Sequence, residues 1–330
     1  MSTFEHDLTK GNIWKQLVWF AVPFFISNLI QSLYSLIDLI ILGHFGGTNS
    51  ISAANIGGQV LVILTNLAAG LSGGGTVMLG NYLGSKRKDK INGAISTLLI
   101  TLTVMAAVFM VLLFILKQPL LRLLDTPEEA FSQAEQYLFI CTLGLLFIYG
   151  YNALSAIMRG LGDSRTPMIF VMIACVINII LDLVLVAGFH LGAGGAAVAT
   201  VFAQGCSMLF CIIYLKHHDF MFDFKPSSFH FIKEEFHILL RTGLPLSIQM
   251  VGTNFSFLIL TTFINRAGGV AASAAAGIVN NFNGFAILPE AAISSAASAM
   301  IAQNMGKKDV KRSSKTMHCC LVLCIGVSLV

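Results

Sequence analysis

The sequence predicts an all-α integral membrane protein built from two repeated helical bundles. Three observations lead there. Of 330 residues, 56% are hydrophobic and only 11% charged, against about 25% charged in an ordinary soluble domain; the mean hydropathy is +0.81. The apolar residues fall in runs long enough to cross a bilayer core, which takes about 20 residues per helix. The chain also matches itself without gaps at an offset of 222 residues, Pro23 falling on Pro245, Gly46–Gly47 on Gly268–Gly269 and Lys86 on Lys308. This composition excludes an ordinary soluble enzyme, a disordered chain and a disulfide-stapled secreted domain.

Eight spans and the start of a ninth satisfy the length rule. The first (14–43) opens on Trp14 and Trp19, indoles that favour the membrane interface, and carries Pro23 and Asp38. The second (51–82) is rich in small residues, with Gly70-x-x-x-Gly74 and Gly80-x-x-x-Gly84 suited to close helix packing. The third and fourth (91–116 and 134–158) qualify by length and apolarity. The fifth (166–189) and sixth (193–215) hold Asn178, Asp182 and Thr200. The seventh (239–265) and eighth (270–304) repeat the first two, and the ninth begins at 315. The first, second and eighth are long enough to require tilt or extension beyond the membrane.

Placing the N-terminus inside puts seventeen of the 20 Lys and Arg on the cytoplasmic side and only Lys117, Arg122 and Arg266 outside. That bias predicts a multi-pass protein with a cytoplasmic N-terminus. Met1–Lys10 is polar and mixed in charge, unlike a cleavable signal peptide. The net charge of +4 is therefore a topology signal, and no nucleic-acid partner is expected. The seven cysteines lie in apolar segments without metal-ligand spacing and read as small buried hydrophobes.

Equivalent points of the repeat are separated by six spans, so both copies face the same way. The expected organisation is an N-terminal six-helix bundle over 1–215, a linker over 216–236 and an incomplete C-terminal bundle over 237–330. The second copy stops inside its third helix, so the protein is expected to continue past Val330. A half-built second bundle would leave the fragment inactive.

Ionisable residues at membrane depth mark function by default. Three acids qualify: Asp38, Asp182 and Glu290. Counted inward at about 1.5 Å per residue, Asp182 lies roughly 9 Å below Gly188, with Asp38 and Thr200 at similar depths below Gly46 and Gly194. Asn178 is one turn from Asp182 on the same helix face. These groups can meet in one cluster in the outer half of the first bundle, where two carboxylates would share a proton or a cation. Glu290 follows Pro289, which suggests a bent turn facing a cavity. Gln31 and Asn281 are candidates for lining the same cavity, or for bonding helix to helix along with Asn28, Asn66 and Asn280. No metal cofactor is expected, Na⁺ at the acidic cluster being the one candidate ion.

Gly70-Leu71-Ser72-Gly73-Gly74 matches the nucleophile pattern of serine hydrolases, but no strand precedes it and no histidine is placed to serve it. There is no phosphate-binding loop of the P-loop type, so energy must come from an ion gradient or another subunit.

Five segments carry a resemblance: Ser35–Gly46 (SLIDLIILGHFG), Met158–Pro167 (MRGLGDSRTP), Asn178–Asp182 (NIILD), Gly194–Thr200 (GGAAVAT) and Ile301–Gly306 (IAQNMG). Together with the repeat, they resemble the multidrug and toxic compound extrusion (MATE) family of efflux transporters, in its prokaryotic NorM/DinF-like form. The resemblance implies a MATE-like two-bundle fold of 6+6 helices, of which this chain holds about eight or nine. It also implies an antiporter that alternates between outward-open and inward-open states. Its cation site would match Asp38, Asn152, Asn178, Asp182 and Thr200, although Asn152 lies nearer the cytoplasmic side by depth. Pro23 matches a first-helix proline associated with bending. Where another branch places a functional Glu on the seventh helix, this chain has Thr253 and Asn254. The implied function is H⁺- or Na⁺-driven efflux of small amphipathic, often cationic, organic compounds by a monomer in contact with membrane lipid, in the plasma (inner) membrane of a prokaryote. The alternatives are a flippase of a lipid-linked saccharide precursor, which shares the broad fold, and an intramembrane serine hydrolase.

Overall fold

The computed structural model describes residues 5–218 and 220–329, without the side chains at 258, 261, 262, 265–278 and 280–282. The described residues form eight α-helices and no strand: α1 (Ile13–Ile41), α2 (Gly47–Gly84), α3 (Lys88–Leu123), α4 (Glu128–Gly160), α5 (Arg165–Asp182), α6 (Gly192–His217), α7 (Lys233–Gly306) and α8 (Val310–Ser328). Six helical stretches among them are long and apolar enough to cross a membrane. This is a multi-pass helical membrane protein.

Two expected breaks are helical instead. Between the first two spans the chain makes a π turn, Leu42–Gly46, and runs straight into α2 through Gly47. Gly47 sits at φ 76°, a left-handed conformation open to a residue without Cβ, so a single residue beside a widened turn redirects the chain. Between the seventh and eighth spans the backbone is helical throughout, in keeping with the strong helix formers of Ala271–Ala276. Yet α7 cannot be straight. Ser247 in its first part bonds the Leu67 carbonyl at 3.0 Å, while Gly306 at its end lies against Asn81. Straight helix would separate Ser247 from Gly306 by about 90 Å, whereas their partners on α2 are roughly 20 Å apart. The two parts of α7 therefore double back along one side of α2.

The repeat is written into the backbone bond by bond. After α2, the N–H groups of Ser85, Lys86 and Arg87 donate to the carbonyls of Asn81, Leu83 and Tyr82 at 2.9, 3.1 and 3.0 Å. After α7, those of Lys307, Lys308 and Asp309 donate to Gln303, Met305 and Asn304 at 3.1, 2.9 and 2.9 Å. Every partner is its counterpart shifted by 222. Lys86 and Lys308, both at positive φ (59° and 64°), occupy the same place in the two turns.

The main core fills the space among α2, α3, α4 and α6, around Leu79, Leu98, Leu102, Leu138, Leu145 and Tyr149. Small residues let α2 come close to its neighbours: a methyl on Gly75 would fall 2.6 Å from Leu98, and one on Gly160 2.8 Å from the Thr76 carbonyl. A second core joins Leu17, Phe20, Ala21 and Phe24 of α1 to Ala292, Ala296 and Met300 of α7. All seven cysteines are free thiols, with Cys141, Cys211 and Cys319 buried and the other four half-buried.

One end of the molecule gathers the basic turns, and there the N-terminal arm is tied down. Glu5 pairs with Lys88 at 2.9 Å, the His6 N–H donates to the Leu161 carbonyl at 3.0 Å, and the Leu8 N–H donates to Gln303 Oε1 at 3.0 Å. The segment between α6 and α7 is docked as well. It buries Phe220 and Phe222 in the main core. Where α7 begins, Glu235 is fully buried, accepting from the Tyr82 hydroxyl at 2.6 Å with Lys90 Nζ 3.6 Å away.

Candidate cation-binding site

Near the other end, α1 and α5 bring Asp38 and Asp182 face to face, their carboxyls within hydrogen-bonding reach of each other. Asp182 is wholly buried and Asn178 nearly so. Asn178 Nδ2 donates to Thr200 Oγ1 of α6 at 3.3 Å. No donor from elsewhere reaches Asp38 Oδ1, either oxygen of Asp182, or Asn178 Oδ1. Buried polar atoms are ordinarily satisfied, and a buried like-charged pair cannot stay doubly ionised alone. Four acceptor oxygens at one point thus call for a proton or a cation among them.

Local sequence builds this pocket. Gly194 and Gly195 bring the start of α6 against α4 and the turn Leu183–Gly188 that follows α5: a methyl on Gly194 would fall 3.0 Å from the Gln136 amide, and one on Gly195 3.3 Å from the Leu185 backbone. Ile41, Leu42, Val186 and Ala196 close a small apolar cluster beside the acids. Both acid-bearing helices also change winding here. The π turn Leu183–Gly188 begins directly after Asp182, and the one at Leu42–Gly46 begins one turn after Asp38. Such turns occur mostly as single-turn insertions in α-helices, frequently at functional sites.

The geometry adds two residues that the sequence reading passed over. Tyr34 and Tyr137 stand within electrostatic range of Asp38. Tyr34 had a signal, being four residues before Asp38 on the same helix face. Tyr137, on α4, had none.

The remaining sequence candidates lie elsewhere. Asn152 returns its amide to the Ile148 carbonyl of its own helix at 2.8 Å, and its place on α4 is about 22 Å along the axis from Tyr137. It does not join the acids. Gln31 is exposed on α1, two turns before Asp38. Pro23 is buried inside α1, and its carbonyl accepts the Ser27 hydroxyl at 2.8 Å. Glu290 accepts the Ser328 hydroxyl at 2.5 Å, tying α7 to α8. The side chain of Asn281 is outside the described residues. In the hydrolase-like motif, methyls on Gly70 and Gly74 would fall 2.4 and 2.5 Å from the backbones of Ser247 and Gly243, so these glycines serve the packing of α2 on α7.

A family model described as MatE matches residues 23–184 and 245–330, two segments that begin at the paired prolines of the repeat. The chain belongs to the MATE family. It is 32% identical over 312 residues to a probable multidrug resistance protein of Bacillus subtilis, YpnP, covering 93% of this chain and 68% of that one. With the probable multidrug resistance protein NorM of Thermotoga maritima it shares 27% over 325 residues, again 93% and 68% of the two chains. The multidrug export protein MepA of Staphylococcus saprophyticus is 24% identical over 262 residues, and the match covers 58% of that protein. Among solved structures, an outward-facing MATE transporter superposes with a TM-score of 0.92 at 23% identity, over 98% of this chain and 71% of that one. A transporter of the same superfamily from Pyrococcus furiosus gives 0.91. The MATE fold is therefore shared by 98% of this chain.

Proposed function

We propose that the protein is a secondary active exporter of small organic compounds, amphipathic and often cationic, driven by inward movement of H⁺ or Na⁺. One observation carries this reading: the Asp38–Asp182 pair, Asp182 wholly buried and Asp38 half-buried, whose buried oxygens have no other donor, in a chain whose relatives are multidrug resistance and export proteins. When both acids are ionised, their oxygens with those of Asn178 and Thr200 form a hard, oxygen-only set suited to Na⁺; with one protonated, the pair is a proton carrier. Occupancy changes the repulsion between α1 and α5, and that difference is what an ion must supply to shift a conformational equilibrium. The Lys and Arg distribution supports an orientation with the N-terminus, the arm at residues 5–12 and the turns at Lys86 and Lys308 on the cytoplasmic side of the plasma membrane.

The test is dye efflux from proteoliposomes holding the full-length protein, under an imposed proton or sodium gradient, one ion at a time. Efflux that follows one gradient and stops in Asp38→Asn and Asp182→Asn supports the reading and names the ion. Absence of gradient-dependent flux with every organic cation tried would overturn it.

A further inference from the structure

We propose that a cavity between the N-termini of α1 and α8 holds the headgroup of an anionic phospholipid. The cavity has a volume of about 440 Å³ and is lined by Trp14, Arg312, Lys315 and His318 among others, with no acidic residue in its wall.

The internal repeat explains why this site is open. Its counterpart in the first half lies between the starts of α3 and α7, and there the chain fills the groove with its own backbone. Ser96 accepts from the His230 N–H at 2.6 Å, Thr97 Oγ1 accepts from the Ile232 N–H at 3.1 Å, and Ile232 packs where a Cβ on Gly93 would fall, 2.4 Å away. Shifted by 222, Gly93 becomes Lys315, Ser96 becomes His318, Thr97 becomes Cys319 and Lys90 becomes Arg312. The two hydroxyls that bind main chain are gone, the equivalent segment Leu8–Lys10 is held to α8 by Arg312 instead, the glycine that admits an apolar plug is gone, and basic side chains line the space that remains. A groove altered in this way suits a negatively charged guest from outside the chain.

Arg312 is already fixed in place. Its guanidinium donates to the Gly11 and Lys10 carbonyls at 2.8 and 3.1 Å and to Gln16 Oε1 at 2.8 Å, while its Nε–H has no partner. Lys315 and His318 are exposed. The surroundings favour a lipid over a soluble anion. Trp14 is an interfacial residue, 44% exposed, and Val18 and Val22 continue its stripe along α1 at one-turn intervals, both exposed. On α8, Val322 and Ile325 continue outward from His318 in the same way. A headgroup on the basic cluster would thus have acyl chains against two apolar stripes. Under the orientation proposed above, the site faces the leaflet rich in anionic lipid, where each basic residue adds to the attraction.

Trp14 and Trp19 are the two tryptophans of residues 1–330, so a background with Trp19 and any tryptophan outside this range replaced by Phe leaves Trp14 as a reporter at the cavity. The protein is reconstituted in phosphatidylcholine vesicles containing a minor fraction of brominated phosphatidylglycerol or, in parallel, brominated phosphatidylcholine. Trp14 should be quenched preferentially by the anionic lipid, and Lys315→Gln with His318→Gln should cut that preference by about fivefold or more. Lys216→Gln, an exposed basic residue on α6, should leave it unchanged. Equal quenching by the two lipids, an equal loss in Lys216→Gln, or abolition of the preference by inorganic phosphate would each overturn the proposal, pointing to annular contact, bulk surface charge and a soluble anion respectively.

Discussion

Gly84 and Gly306 each lie against the backbone of the other's helix. A methyl on Gly84 would fall 1.9 Å from the Gln303 carbonyl oxygen, and one on Gly306 would fall 2.1 Å from that of Asn81. Gln303 is the repeat counterpart of Asn81, so the two contacts are one contact made twice about a local two-fold. Gly84→Ala or Gly306→Ala must push α2 and α7 apart at backbone level, and each is expected to cost at least about 1–3 kcal/mol as overpacking does. Gly252→Ala, with nothing within 4 Å of its added methyl, is the matched control and should leave the melting temperature unchanged or slightly raised. Thermal unfolding in detergent compares the three.

The acid pair predicts separate effects on transport and stability. Asp38→Asn and Asp182→Asn should each reduce gradient-driven efflux at least about tenfold, since one carboxyl alone cannot reproduce the pair's titration. Neither should lower stability, because each replaces a like-charged neighbour by a group able to donate a hydrogen bond. A variant that unfolds would mark the pair as structural.

Tyr82→Phe removes the hydroxyl that serves the buried carboxyl of Glu235. The expected loss is about 1.5–3 kcal/mol, the range for a hydrogen bond to a charged group. Combined with Glu235→Gln in a double-mutant cycle, the two losses should be less than additive.

Gln303→Ala should free the N-terminal arm. It removes the acceptor of the Leu8 N–H and the donor to the Gly160 carbonyl, the latter at 3.4 Å. Hydrogen exchange at Leu8 should accelerate while exchange in α4 stays slow. Unchanged protection at Leu8 would mean that the arm is held by Glu5 and Arg312 without it.

Outside the membrane, Asp223 gives a pH signature. Hydrogen bonds from the Ser228 hydroxyl and the Lys225 N–H, with the Lys225 ammonium beside it, hold its carboxyl down at about 2. A lowered value means that its contribution is present above the ordinary carboxylate range and is lost as pH falls through about 2. Order in the Pro226–Ser228 turn, read by exchange at Lys225, should persist at mildly acidic pH in the native protein and be weakened over that whole range, above about pH 2, in Asp223→Ala.

Much of this was legible in one sequence because the membrane imposes it. Length and apolarity placed the helices, and the shared Pro23/Pro245 and Lys86/Lys308 positions announced the repeat. Depth counting brought Asp38, Asn178, Asp182 and Thr200 to one level, and the structure gathers those four. What stayed hidden depends on contacts between distant segments. Nothing local to Tyr137 signals that α4 passes Asp38. Glu235 reads as a surface acid at a helix start until Tyr82 and Lys90 are seen around it. The polar sequence of residues 5–12 gives no hint that its backbone is bound to Leu161 and Gln303. The π turns also escape periodicity, since one extra residue in a turn shifts a hydrophobic stripe less than the tolerance of reading it.

The paired glycines have a mechanical consequence. Backbones that touch leave no slack for one helix to slide on the other, and where α2 meets the last part of α7 the closest approach lies at the ends of both helices, at Gly84 and Gly306. It is a fulcrum set at one end of a long lever. Across a bilayer core of about 30 Å, a swing of roughly 10° at that point would carry the far ends of the helices about 5 Å, a displacement the size of a small organic ring, without breaking a backbone hydrogen bond.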